Sequence, residues 1–306
     1  MPRATRRSVL RTVGSLSGIG LIGATHAQNE PQEISECTVI DDPGEYVLTR
    51  DFSGEGRGPC IDIQADGVVL DGDGHRFYSG GGQGIRVTGQ DVIVRNVRTG
   101  GWGPHIEIED TTGARIESSS LRSADCATIN RSRDVVITGC QFLGEYTVVT
   151  GGGNHNIRIE DNVGNMEGSA VDFTDTHHST VRRNQFESEY GLLRLEGDFN
   201  TIEKNHLTQF LSPAITVRGR KNQIVRNTTR SAYTERFDGM ASIWLRNCDD
   251  SLLMRNDIQY GNESGLFLED SDDNLLLRNV VCGTGTAIVV DSESTGNRLL
   301  RNKTGG

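Results

Sequence analysis

Residues 193–205 read L-R-L-E-G-D-F-N-T-I-E-K-N, and residues 215–227 read I-T-V-R-G-R-K-N-Q-I-V-R-N, the same pattern 22 positions on. Each copy opens on an apolar-x-apolar triplet and closes on an apolar residue followed three positions later by Asn. The closing motif recurs as Ile159/Asn162, Val181/Asn184, Ile202/Asn205, Ile224/Asn227, Leu253/Asn256, Leu276/Asn279 and Leu299/Asn302. Earlier coils put Ser119 and Cys140 where the Asn would fall, after Ile116 and Ile137. The triplet recurs as Ile61-Ile63, Ile85-Val87, Ile106-Ile108, Val171-Phe173, Leu193-Leu195, Ile215-Val217, Ile243-Leu245, Leu266-Leu268 and Ile288-Val290. A third apolar column lies two residues beyond the Asn position, in Phe142, Phe186, Leu207, Ile258 and Val281.

A fixed period of 21 to 23 residues means a stacked repeat. The alternation within each triplet is that of a short strand with every second residue turned inward. One coil cannot bury its apolar side alone. Stacked at ~4.8 Å, the coils close a continuous core and pair their backbones in parallel. The Asn side chains then hydrogen-bond from coil to coil at a tight turn, where Asn also tolerates left-handed backbone. The expected fold is all-β, a right-handed parallel β-helix of about 11 coils with three short strands each. It should run over residues 60–306, with a cap and first strands over 28–59.

Residues 1–27 combine Arg3, Arg6, Arg7 and Arg11, an apolar run from Val13 to Ile22, and a small-residue end, Thr25-His26-Ala27. That is the makeup of an export signal, and T-R-R-S-V-L-R at 5–11 is of the twin-arginine type. The apolar run, broken by Gly14, Gly18 and Gly20, is too short to span ~30 Å of hydrocarbon. No transmembrane segment is expected once the signal is removed, and the mature chain should be secreted or held at the cell surface as a monomer. It carries 27 basic against 42 acidic residues, which argues against a nucleic-acid partner. Lys204, Lys221 and Lys303 are its lysines, and an acidic, Lys-poor surface suits solubility in concentrated salt. Cys37 and Cys60 lie one coil length apart near the N-terminal end and form the candidate disulfide. Cys126, Cys140, Cys248 and Cys282 either pair or serve as small buried apolar residues.

The coil pattern, with the opening stretch C-T-V-I-D-D-P-G-E-Y-V-L at 37–48, resembles the NosD-like, carbohydrate-binding and sugar-hydrolase class of β-helix proteins over about residues 34–302. That class includes pectate-lyase-like enzymes, epimerases, hydrolases, binding modules and a copper-maturation factor, so the resemblance specifies fold more tightly than function. It implies a groove lined by the outward residues of successive coils. The middle residues of the triplets supply them: Asp62, Arg86, Glu107, then Asp172, Arg194, Thr216, Trp244 and Phe267. Aromatic rings stack on the apolar face of a pyranose while Arg and Asp hold hydroxyls or uronate carboxylates. Arg218, with Glu196, Arg246 and Glu269, flanks the column, and the alternating charges fit a plain cross-strand ion ladder equally well.

The spacing breaks once, at 29 residues between Asn227 and Asn256, where S-A-Y-T-E-R-F-D-G-M at 231–240 precedes the strand carrying Trp244. Long loops on a rigid scaffold concentrate function, so Tyr233 and Phe237 join Trp244, Phe267 and Arg218 as expected substrate contacts. In D-F-T-D-T-H-H at 172–178, His177 falls one coil after His155, near Asp175. The two imidazoles are candidate ligands for a divalent metal, a transition metal or Ca, against the competing reading of solvated turn residues. Cleavage of an acidic polysaccharide needs a group to neutralise the uronate and a base for the C5 proton, or two carboxylates for hydrolysis. Asp172, Asp175 and Arg194 are the candidates, although neither an Asp-Asp with Gly-His-Gly signature nor an Asp-Pro-His-Asp signature is present. The leading expectation is an exported protein that binds a polysaccharide or surface glycan, with lyase-like or hydrolase-like activity open. A structural or adhesive surface protein is the alternative, and a NosD-like copper-associated factor the third.

Overall fold

The computed structural model describes residues 30–54, 58–80, 82–102, 105–123, 125–209, 213–231, 241–259, 264–283 and 285–305. The signal-like stretch 1–27 lies outside them. From Pro31 onward the chain forms one unit, a parallel β-solenoid of about 11 turns with no helix among the described residues.

Each coil contributes a strand to each of three parallel sheets. Sheet 1, of 12 strands from Thr38–Ile40 to Thr286–Val290, takes the apolar-x-apolar triplets. Sheet 2, of 13 strands from Gln32–Ile34 to Arg298–Leu300, takes the apolar residue ahead of the Asn. Sheet 3, of 12 strands from Phe52–Gly54 to Lys303–Thr304, takes the third column. The inward residues of all three are buried up to the last coil, where Leu299 is exposed, and Phe77, Phe142, Phe173 and Phe186 are the largest of the fully buried ones. Cys126, Cys140 and Cys248 are buried free thiols, and burial pushes them up to about 12, 11 and 11. Cys37 and Cys60 are joined by a disulfide.

The Asn column sits between sheets 2 and 3. Each Asn, such as Asn184, donates its backbone N–H and its Nδ2 to the next coil's Oδ1 at 3.0 Å, and its Nδ2 also to a carbonyl of the preceding coil, Ile159 O, at 2.8 Å. Left-handed backbone falls on the residue before each Asn and not on the Asn itself. Asp161, Arg183, Lys204, Arg226, Arg255, Arg278 and Arg301 take φ between 54° and 58°. The reason is directional: the Asn side chain must point inward to meet its neighbours, so the turn is made one residue earlier by a side chain that points out.

A second polar column sits at the corner between sheets 1 and 2. Ser179 N–H donates to Asn200 Oδ1, Asn200 to Asn222, Asn222 to Ser251 Oγ, Ser251 to Asn274 and Asn274 to Asn297, at 2.8 to 2.9 Å. Its sequence signal is an Asn five residues ahead of the first one, as in Asn200/Asn205, Asn222/Asn227, Asn274/Asn279 and Asn297/Asn302.

Candidate functional site

Register pairs the outward residues of sheet 1 into one continuous column: Asp62, Arg86, Glu107, Thr128, Thr150, Asp172, Arg194, Thr216, Trp244, Phe267 and Val289. Trp244 and Phe267, on adjacent rungs, stack with ring centroids 5.8 Å apart and planes 19° off parallel. The Arg246 guanidinium lies 5.4 Å from the Trp244 ring centroid and pairs with Glu269 at 3.0 Å. That contact is an ion pair without hydrogen-bond alignment, so Glu269 Oε2 is buried with no hydrogen-bond partner among the described residues. Trp244 Nε1 and Arg218 Nε are buried and unpartnered in the same way. Two N–H groups without acceptors, Trp244 Nε1 and Arg218 Nε, and the Glu269 oxygen held only by its ion pair therefore lie on neighbouring strands of one face, each at a desolvation cost. Tyr233 and Phe237 lie outside the described residues.

Two rungs back along the column from Trp244, Arg194 bridges two carboxylates, Glu196 at 2.7 Å and Asp172 at 3.6 Å, and Arg218 adds a contact to Glu196 at 2.9 Å. Burial holds the Asp172 carboxyl above its usual range, Arg194 opposing and Glu196 reinforcing the shift. Burial also acts upward on Glu196, but the Arg194 hydrogen bond and the charges of Arg194 and Arg218 outweigh it and leave that carboxyl below its usual range. Asp175 is not part of this group. It occupies the corner at the end of the same strand with φ 46°, its side chain 79% exposed and paired with His177.

His155 and His177 face each other in register on neighbouring rungs. The ring of His155 nevertheless packs against His178, centroids 4.8 Å apart and planes tilted by 38°, and His178 stacks on Phe199, also at 4.8 Å, with Lys221 Nζ 5.4 Å from that ring. His177 Nδ1 accepts the Asp198 N–H at 3.0 Å, which places the proton on Nε2 for donation to Asp175 at 3.1 Å.

A groove of about 810 Å³ lies on sheet 3, a face the sequence reading does not single out. Its walls include Arg76, Tyr78, Arg98, Arg122, Gln141 and Glu167.

Residues 83–235, half of the chain, match the family model described as periplasmic copper-binding protein (NosD). The chain belongs to the NosD family. Residues 169–306 match a second model, right handed beta helix region. No curated protein matches the chain. Among solved structures, this NosD-family chain resembles the DFA-IIIase of Arthrobacter chlorophenolicus A6. The C387A mutant in complex with DFA-III is 12% identical, over 87% of this chain and 86% of that one, with a TM-score of 0.64. The form of that enzyme without its lid is also 12% identical, over 87% and 86%, with a TM-score of 0.63. At that identity the likeness is one of fold.

The copper in the NosD description tests poorly against the residues here. Among the described residues no three His, Cys, Asp or Glu side chains are grouped to hold a metal ion. His177 has both ring nitrogens committed to protein hydrogen bonds, and the three buried thiols are held protonated by burial, whereas a metal ligand must offer a lone pair or a thiolate. The described residues do not fit the group.

Proposed function

We propose that the protein is an exported glycan-binding β-helix, secreted or held at the cell surface, that takes a polysaccharide along the outward face of sheet 1. The observation that carries the reading is the stacked Trp244 and Phe267 pair with unpartnered Trp244 Nε1 and Arg218 Nε beside it. Stacked rings offer a pyranose its apolar contact, and the neighbouring arginines and carboxylates offer its hydroxyls polar partners. The periplasmic label of the NosD family and the makeup of residues 1–27 support export. A β-helix of this architecture accommodates a sugar in the DFA-IIIase complex with DFA-III. Replacing Trp244 by Ala should weaken binding of a responsive polysaccharide by ~1–2 kcal/mol in a calorimetric titration. Unchanged binding of every glycan that binds the parent would remove this face from consideration.

A second reading, hydrolysis, is favoured by the two carboxylates on either side of Arg194. Environments that push two carboxyls apart, Asp172 up and Glu196 down, are the division of labour of a glycosidase. Asp172 would give its proton to the leaving glycosidic oxygen, and Glu196 would attack the anomeric carbon or take a proton from water. Asp172→Asn and Glu196→Gln should then abolish release of reducing ends while binding survives. A parallel, modest fall in both, or no release by the parent protein, leaves the binder.

A further inference from the structure

Sheet 1 neutralises its arginines. Arg86 meets Asp62 at 2.8 Å, Arg194 meets Glu196 at 2.7 Å, Arg218 meets Glu196 at 2.9 Å and Arg246 meets Glu269 at 3.0 Å. The groove on sheet 3 does the opposite. Arg76 and Arg98 lie directly opposite each other on adjacent strands, Arg76–Gly80 and Arg98–Trp102, and Arg122 lines the groove from the following strand, Ser120–Ser123. Among the described residues none of the three guanidiniums is in an ion pair, in a chain that carries 42 acidic residues; the Asp51 carboxylate accepts the backbone N–H of Arg76 at 2.9 Å and does not pair with its guanidinium. Like charges facing each other across strands destabilise a sheet, so the cluster works against folding unless an anion joins it.

The floor of the groove is built to hold a ring. Tyr78 is 44% exposed and accepts a hydrogen bond on its hydroxyl from Arg76 Nη1 at 2.7 Å, with the guanidinium 5.6 Å from its ring centroid. The ring lies over Gly100, where a Cβ would stand 2.9 Å from Tyr78 Cε1. Any side chain at position 100 would therefore lift the aromatic platform away from the sheet. The next two rungs, Gln141–Gly144 and Val163–Met166, carry no cation into the groove: Gln141 and Asn165 line it there, and Glu145 and Glu167 line it just past the ends of the same two strands. Four rung steps at about 4.8 Å give the groove the length of a short oligosaccharide. That change of charge between the three arginine rungs and the two beyond them disfavours a uniform polyanion: a negative group is welcome on the arginine rungs and meets Glu145 and Glu167 on the others.

We propose that this groove is a separate glycan site that takes an oligosaccharide bearing a carboxylate on one sugar. The carboxylate sits among Arg76, Arg98 and Arg122, its pyranose stacks on Tyr78, and the remaining neutral sugars lie over Gln141 and Asn165. Arginine forks suit carboxylates in geometry as well as charge. The site is independent of the sheet 1 face, since it shares no residue with the Trp244 and Phe267 pair.

The test is titration of the full chain with trisaccharides carrying one galacturonate, glucuronate or mannuronate, each beside its neutral parent. At least one acidic trisaccharide should bind tenfold or more tightly than its neutral parent. Arg98→Gln with Arg122→Gln should cost tenfold or more, Tyr78→Ala and Gly100→Ala several-fold, and Trp244→Ala nothing. Arg98, Arg122 and Tyr78 face the groove, Gly100 is buried beneath the Tyr78 ring and Trp244 is half-buried, so matching unfolding temperatures would confirm that each variant folds. Equal affinity for acidic and neutral sugars, full affinity in the double arginine variant, or no binding of any acidic trisaccharide would overturn the proposal. Sensitivity to Trp244→Ala alone would assign the binding to sheet 1 instead and leave the reading of that face standing.

Discussion

The Asn column inside the solenoid and the outward column of sheet 1 are each built from one residue per coil, yet they obey different constraints. From Asn162 to Asn279 the inner residue does not vary, it is at most 2% exposed, and its amide bonds to the coils on both sides. The outer column runs through Asp172, Arg194, Thr216, Trp244 and Phe267, charge to hydroxyl to ring in five rungs. A buried amide must find every partner in the coils beside it, so another side chain there damages two coils at once. An outward residue answers to solvent and to its cross-strand neighbours, and is free to serve a ligand. In a repeat protein the position that never changes holds the fold, and the position that departs from the pattern is where binding chemistry can sit.

The sharpest test of that contrast is to cut the inner column in its middle. Asn205→Ala removes the acceptor for Asn184 N–H and Nδ2 and the donors to Asn227 Oδ1 and Val181 O. With several buried groups left unpaired at ~1–3 kcal/mol each, the loss should exceed ~3 kcal/mol in denaturant unfolding. A loss below that would mean water or a shifted backbone replaces the amide, and the inner column would be less rigid than drawn here. The outer column should respond far less to an equally central cut. Arg194→Ala, which leaves Asp172 and Glu196 without their shared partner, should cost about 1 kcal/mol or less because the pair is half exposed and screened. A cost equal to that of Asn205→Ala would break the comparison.

The smallest expected effect is one of pH. Burial raises Asp172 above its ordinary value of 3.8, so its contribution to stability is full below that pH and is lost as pH rises through the folded value. Glu196, held below its ordinary 4.5, contributes stability above that pH and loses it as pH falls through its folded value. Asp172→Asn removes the first term and keeps the second. The variant should match its parent in acid and gain a small advantage in melting temperature as pH rises from about 4 toward neutral, the window set by the ordinary carboxylate range. A variant less stable than its parent at neutral pH would show that the Arg194 contact outweighs burial.

Much of this was legible from spacing. The triplets, the apolar residue three positions ahead of each Asn and the third column lie inward on the sheets the period assigns them, with Leu299 of the last coil left exposed because no coil covers it, since a register locked by stacking leaves no freedom in which way a residue points. The outward order from Asp172 to Phe267 follows from the same lock. The second polar column was equally legible in the Asn five residues ahead of each ladder Asn, since Asn200 and Asn205 recur as Asn222 and Asn227.

What the period determines is which residues share a column, because backbone pairing between coils repeats with the chain. It does not determine which side chains meet across columns, which depends on rotamers, on neighbours of unequal size and on the path of each corner. Only the tertiary structure sends the His155 ring to His178 and that of His177 to Asp175, joins Asp172 to Glu196 through Arg194, and sets Asp175 apart at a left-handed corner. Only there does Tyr78 lie over Gly100 beside Arg76, opening the groove on sheet 3. A glycine in one coil and a tyrosine in the coil before it carry no shared signal in sequence, and the hollow exists because a missing Cβ on one rung is filled by a ring from another.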